Sequence, residues 1–268
     1  MENIEINKQP IKEQYKDDKN LNSRLNLHKY NINKIDWNEW CFNQMDFPQK
    51  ARILELGCGP GGLWVRNKYK LNQDWNITLS DFSKGMLECA KNTLAEVDYD
   101  FKYKEIDIQD IPYEEGSFDV VIARHMLYHV PDIEKALSEI KRVLAPGGTF
   151  YATTNGRGAM AELFELIEKF DPEIGLNNLG MGDRFEFEGG RLLLEKYFSE
   201  VEMQVFEGEI VVPQAEPIVS YVDSTMRGRA ILVGQKKQEF IKYVEDYIEE
   251  NGDMSITTEA CIFKVKKI

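Results

Sequence analysis

Apolar and polar positions along this chain follow two periods. Short apolar runs bounded by glycine, proline or polar clusters predict strands over 51–56, 76–81, 101–106, 118–123, 148–154, 200–207 and 259–266. Between them apolar residues recur at three- and four-residue spacing. Ser83 stands where it caps a helix through Met86 and Leu87, and Asp132 opens another through Ala136, Leu137, Ile140 and Val143. Strand and helix in alternation predict an α/β protein with a doubly wound, mostly parallel sheet. In the last run Cys261, Phe263 and Val265 share one face, the pattern of a partly exposed edge or antiparallel strand.

The first strand empties directly into Gly57-Cys58-Gly59-Pro60-Gly61-Gly62. Glycines at 57 and 59 let the backbone turn sharply and approach a ligand that a Cβ would hold away, and the following helix is expected to point its N-terminus at the same place. Gly57, Gly59 and Gly62 satisfy the dinucleotide pattern G-x-G-x-x-G, and Asp81 lies 19 residues beyond Gly62, near the offset of a ribose-binding acid. Spacing alone therefore admits either a nicotinamide dinucleotide or another nucleoside cofactor. Glu55 favours the second. An acid inside an apolar strand end suits a cationic ligand, whose charge it offsets directly or through water.

The run Ile53-Leu54-Glu55-Leu56-Gly57-Cys58-Gly59-Pro60-Gly61 resembles the first motif of the class I S-adenosylmethionine-dependent methyltransferases. Three further ordered segments continue the resemblance: Ile77–Ser83 with Met86, Asp107–Gln109 leading to Gly116–Val121, and Ala145–Phe150. It covers roughly 51–154, and Gly116–Val121 with the histidines before Val130-Pro131-Asp132 is similar to the branch that includes quinone-biosynthesis and natural-product enzymes. The resemblance implies a seven-stranded, Rossmann-like sheet whose seventh strand is antiparallel, and assigns roles by position. Asp81 accepts from the ribose hydroxyls, with Phe82 beside it; Met86 packs on adenine; Asp107 accepts from the adenine amino group, and the main chain of Ile108 meets a ring nitrogen. Gly57, Cys58, Gly59 and the carbonyls near Ala123 or Arg124 hold the methionine part, with Glu55 behind them. Methyl transfer is in-line displacement, so alignment dominates. His125 and His129, after the fourth strand, are the candidate proton acceptors.

Composition narrows the acceptor. The formal net charge of −13 over 268 residues disfavours nucleic acid, and Arg124-His125-Met126-Leu127 stands where the same fold marks base or glutamine methylation with Asn-Pro-Pro-Tyr. Cysteines 41, 58, 89 and 261 are scattered, predicting reduced thiols and no metal site. No signal peptide or membrane-length apolar run is present, so a cytoplasmic location without membrane association is expected.

Three segments outside the shared core carry specificity. Residues 1–50 are read as a helical lid and 51–268 as the cofactor-binding domain, with accessory substrate segments at 155–195 and 208–257. The 155–195 segment predicts a helix at 157–170 flanked by glycine-rich mobile loops; the 208–257 segment predicts helices near 215–226 and 236–250. Tyr15, His28, Tyr30, Trp37, Trp64 and Tyr128 are candidate lid or substrate residues, an aromatic set suited to a flat or cationic acceptor. The expected function is methyl transfer from S-adenosylmethionine to a small molecule, leaving S-adenosylhomocysteine, by a monomer or homodimer. The competing readings are a non-catalytic protein that binds the same cofactor and an NAD-dependent oxidoreductase.

Overall fold

The computed structural model describes residues 16–175 and 184–267. Seven strands form one sheet: β1 (Arg52–Leu56), β2 (Asn76–Asp81), β3 (Lys102–Glu105), β4 (Phe118–Arg124), β5 (Leu144–Asn155), β6 (Ser199–Val212) and β7 (Met254–Lys266). Their order is β3-β2-β1-β4-β5-β7-β6, with β1 to β5 parallel and β7 antiparallel to both β5 and β6. Chain progression reverses between β1 and β4, where Leu54 pairs with Val121. That switch point opens the crevice in which sheets of this kind hold ligands.

Both faces of the sheet are covered. In β4, Val121 and Ala123 face a core shared with α5 (Ile133–Val143) and α7 (Phe187–Glu195). Val120 and Ile122, one residue out of phase, face a core built with α2 (Trp37–Asn43), α3 (Gly62–Arg66) and α4 (Lys84–Leu94). The caps expected from sequence are formed: the Ser83 side chain accepts from Met86 N and that of Asp132 from Lys135 N.

The far end departs from expectation. β6 and β7 run well past the predicted 200–207 and 259–266, pairing from Gly208↔Thr258 to Val212↔Met254. Their extension carries a third core in which Ile210, Val212, Met254 and Ile256 pack with α1 (Lys19–His28), α6 (Ala161–Phe170), α8 (Ala215–Asp223) and α10 (Gly234–Asn251). Polar residues Glu209, Thr257 and Thr258 hide this extension in the sequence. Of the two readings of the last run, edge or antiparallel strand, the second holds: β7 is antiparallel and lies between β5 and β6. Its alternation arises because Lys264 and Lys266 occupy a thinly covered face, where Lys264 meets Asp46 at 2.8 Å.

The expected helix at 215–226 is broken at Ser224, and Thr225 caps a separate α9 (Met226–Ile231). Gly189 and Gly190, read as loop glycines, lie inside α7, where a Cβ on Gly190 would meet Phe185 and Phe263 at 3.4 Å. Gly180 and Gly182 lie outside the described residues. Segment 30–32 adds to the β6 edge, with Ile32 N donating to Glu209 O and Val211 N donating to Tyr30 O. Together with buried Leu27 this seats α1 across the C-terminal ends of the strands.

Candidate active site

The ends of β1, β2 and β4, together with α1, α2 and the extended hairpin, enclose a cavity of about 880 Å³. Small-molecule sites occupy roughly 300–1,000 Å³. At its floor Gly57 and Gly59 take φ of 67° and 53°, and a Cβ on Gly57 would stand 3.0 Å from Met126. Cys58 N donates to Ser80 O at 2.8 Å, fixing the loop to β2. Asp81 completes the turn: one carboxylate oxygen accepts from Gly59 N at 3.0 Å and the other from Ser83 N at 2.9 Å. Burial pushes the Asp81 carboxyl up, against the backbone donors that favour its ionised form.

Asp107 sits across the cavity from the glycine loop's strand. Its Oδ1 accepts from Gln109 N and Gln109 Nε2 at 3.0 and 3.1 Å, and Gln109 Oε1 accepts from Asp132 N at 3.0 Å, bracing this end against α5. Phe82, Met86 and Ile108 line the same region. A nucleoside cofactor fits these features: an acid at the β2 terminus for ribose hydroxyls, apolar side chains and a second acid for the base, and a loop open enough for close backbone approach. The helix expected to aim its N-terminus here, α3, is only five residues long, so its dipole contributes little.

Several predicted site residues are placed elsewhere. Glu55 is fully buried and does not line the cavity; its Oε2 accepts from Trp64 Nε1 at 2.6 Å and its Oε1 from Arg124 Nε at 3.1 Å. Burial raises its carboxyl, and the Arg124 charge opposes the rise. Trp64, read as a substrate contact, is fully buried below the loop as the partner of Glu55. The Ala123 side chain is buried in β4 facing the α5 layer, which leaves its carbonyl, the group the resemblance assigns, as the part that could meet a ligand. Tyr30 packs at the third core, where its hydroxyl accepts from Gln214. Tyr15 lies outside the described residues. Cys58 lines the cavity, but burial first, then Glu55 and Asp81, push its thiol well up, leaving it a poor nucleophile.

Arg124, His125, Tyr128, His129, His28 and Trp37 do line the cavity. Trp37 stacks on Trp40 at 5.4 Å and stands 5.3 Å from His125 and 5.4 Å from Phe206, forming an aromatic wall opposite the glycine loop. His125 adopts φ of 48°, held by its N donating to Thr153 O and Thr153 Oγ1 at 3.1 Å each. Sequence reasoning missed Asn38 and Phe206, which come from segments without a motif. Phe206 stands out of phase with the alternating Val201, Met203 and Val205 of its strand, and that break was the available signal for it.

Burial, reinforced by Arg124, pushes His125 down to about 3, and burial with Arg24 and Arg184 pushes His129 down to about 4. Both rings are neutral at pH 7. From pH 6.5 down to about 4 the unfolded chain takes up protons that these rings refuse in the folded state, so their contribution to stability falls as pH falls. His129→Gln is therefore expected to lose less stability than the parent between pH 7 and pH 5. Denaturant titrations at both pH values test this, and equal losses would contradict it.

Residues 54–152 match a family model described as a methyltransferase domain. A ubiquinone biosynthesis O-methyltransferase of Alkalilimnicola ehrlichii is 30% identical over 142 residues, 53% of this chain and 55% of that protein. The chain spans about half the length of the curated relatives it matches. Among solved structures, the BH2331 protein of Bacillus halodurans superposes with a TM-score of 0.61 at 16% identity, covering 86% of this chain and 98% of its own. The [4+2]-cyclase SpnF gives 0.59 at 17% identity, covering 98% and 97%. The family match is confined to residues 54–152, and the likeness to the solved structures is one of fold, in keeping with the sheet order.

Proposed function

We propose that this protein transfers a methyl group from S-adenosylmethionine to a small aromatic hydroxyl compound. The observation that carries the reading is a single cavity joining the nucleoside floor at Asp81 and Asp107 to the wall formed by Trp37, Phe206 and His125. The name of the Alkalilimnicola relative supports an oxygen acceptor, and the net charge of −13 favours a small molecule over a polyanion.

When bound, S-adenosylmethionine supplies an electrophilic methyl group on a sulfonium. The chain's part is to align and to exclude water. Asp81 and Asp107 hold the nucleoside end, and the open Gly57–Gly59 backbone receives the remainder. Trp37 and Phe206 offer flat faces to an aromatic ring. His125, neutral at pH 7, accepts a hydrogen bond from the acceptor's hydroxyl, orients its oxygen and takes up its proton as the methyl group passes from sulfur to oxygen. Within the 1–50 segment, helices α1 and α2 act as a lid over the cavity, and Met160 and Tyr221, from the two accessory segments, complete its walls.

A second reading is favoured by the breadth of the match to SpnF, a chain named for a cyclisation: the same fold holding its cofactor without passing on the methyl group. Incubation with methyl-labelled S-adenosylmethionine and a panel of catechols, hydroquinones and amines separates the two. Label in a catechol or hydroquinone product supports the proposal, label in amines alone replaces its acceptor class, and binding without label transfer to any acceptor favours the second reading.

A further inference from the structure

We propose that the methyl acceptor carries a carboxylate besides its reacting hydroxyl, and that Arg24 of α1 recognises it; this names the substrate class of the site proposed above and rests on that reading. Charge around the cavity is sorted by wall. The acids that line it are engaged: Asp81 and Asp107 at the nucleoside end, Asp36 as the cap of α2, 3.5 Å from Arg66, and Glu259, whose Oε1 accepts from Gly158 N at 2.8 Å. Among the described residues, the wall that α1 makes with the turn Leu127–His129 contributes no acid. It presents Arg24, His28, Lys29 and His129 instead, in a chain whose net charge is −13.

Two guanidiniums set the potential of that wall. Arg184 stands behind the turn, where neutral carbonyls hold it: it donates to Pro131 O at 2.6 Å and to Tyr128 O at 3.4 Å, and burial lowers it with no acid opposing. Arg24 is half-buried, and its Nε donates to Asn20 O at 3.3 Å, one turn earlier in α1, which ties the side chain to its own helix. Both charges act on His129 and, with burial, hold its ring down. Water screens a half-buried wall weakly, so an anion placed there gains most. A guanidinium matches a planar carboxylate with paired N–H donors. Lys29 and Lys34, exposed at the cavity mouth, draw the same charge inward. The flat faces of Trp37 and Phe206 then receive the ring that bears the carboxylate.

Calorimetric titration of the full chain, with S-adenosylhomocysteine present, reads this charge when the catechol carboxylate protocatechuate is compared with its primary amide, a neutral probe of nearly the same shape. The parent is expected to bind the carboxylate about tenfold tighter or more, as a charge-assisted contact implies. In Arg24→Gln this preference is expected to shrink to about threefold or less, and Arg24→Lys is expected to keep part of it. An arginine that merely held α1 in place would, on removal, weaken both probes together and leave their ratio intact. Equal affinities in the parent, a ratio that survives in Arg24→Gln, or binding of neither probe would overturn the inference. Label transfer from S-adenosylmethionine to protocatechuate, followed in parallel, addresses the reading beneath it: a binding preference lost in Arg24→Gln, with no label in any product, would overturn the transfer and leave the carboxylate site standing.

Discussion

Glu55→Ala is expected to cost about 3–5 kcal/mol of stability, the range for removing one member of a buried ion pair. The carboxylate is fully inaccessible and serves two donors, Trp64 Nε1 and Arg124 Nε. Alanine leaves a guanidinium without its counter-charge and a buried indole N–H without an acceptor. For a chain of this size that corresponds to a melting temperature lower by roughly 10 °C. Glu55→Gln retains an acceptor for Trp64 and removes the cost of burying a carboxylate, so it is expected to lose less than half as much. Thermal unfolding of both variants is the check. Parent-like melting of Glu55→Ala would show that the pair carries no net stability, whereas equal losses in the two variants would assign the effect to charge rather than to packing and hydrogen bonding.

Asp81→Ala is expected to weaken binding of S-adenosylhomocysteine by roughly ten- to a hundredfold, since hydrogen bonds to a charged group contribute about 1.5–3 kcal/mol. The side chain has two tasks. It accepts from Gly59 N and Ser83 N, which shapes the loop, and in the proposed function its remaining lone pairs take the ribose hydroxyls. Asp81→Asn keeps one acceptor for the loop and removes the charge, so an affinity between parent and alanine variant is expected. Because burial raises the Asp81 carboxyl, ligand affinity in the parent is also expected to fall as pH falls through that raised value. Unchanged affinity in Asp81→Ala, measured by calorimetry on a folded variant, would remove the ribose assignment.

What sequence patterns disclosed was local in character. The strand-to-glycine turn at 52–59, the acids at the ends of β2 and β3, and the caps at Ser83 and Asp132 depend on neighbours within a few positions. The partnership of Glu55 with Arg124 does not. Those residues are 69 positions apart, and Glu55 read in isolation pointed to a cationic ligand rather than to a buried arginine. Trp64 was misplaced for the same reason: an aromatic after the loop is equally consistent with cavity or core until its indole N–H is seen to meet Glu55. The extended hairpin of β6 and β7 was legible only in its inner half. Its outer half is stabilised by helices from three separate parts of the chain, and polar residues at 207–209 and 257–259 interrupt the apolar pattern. The aromatic wall likewise joins Trp37 of α2 to Phe206 of β6, a contact made by the tertiary fold alone.

The central claim is that the cavity at the β1–β4 switch point takes S-adenosylmethionine through Asp81, Asp107 and the glycine loop. Calorimetric titration of the full chain with S-adenosylhomocysteine and, in parallel, with NAD tests it most directly. Saturable, micromolar binding of S-adenosylhomocysteine with no heat from NAD is the predicted result; binding of NAD without S-adenosylhomocysteine would contradict the account.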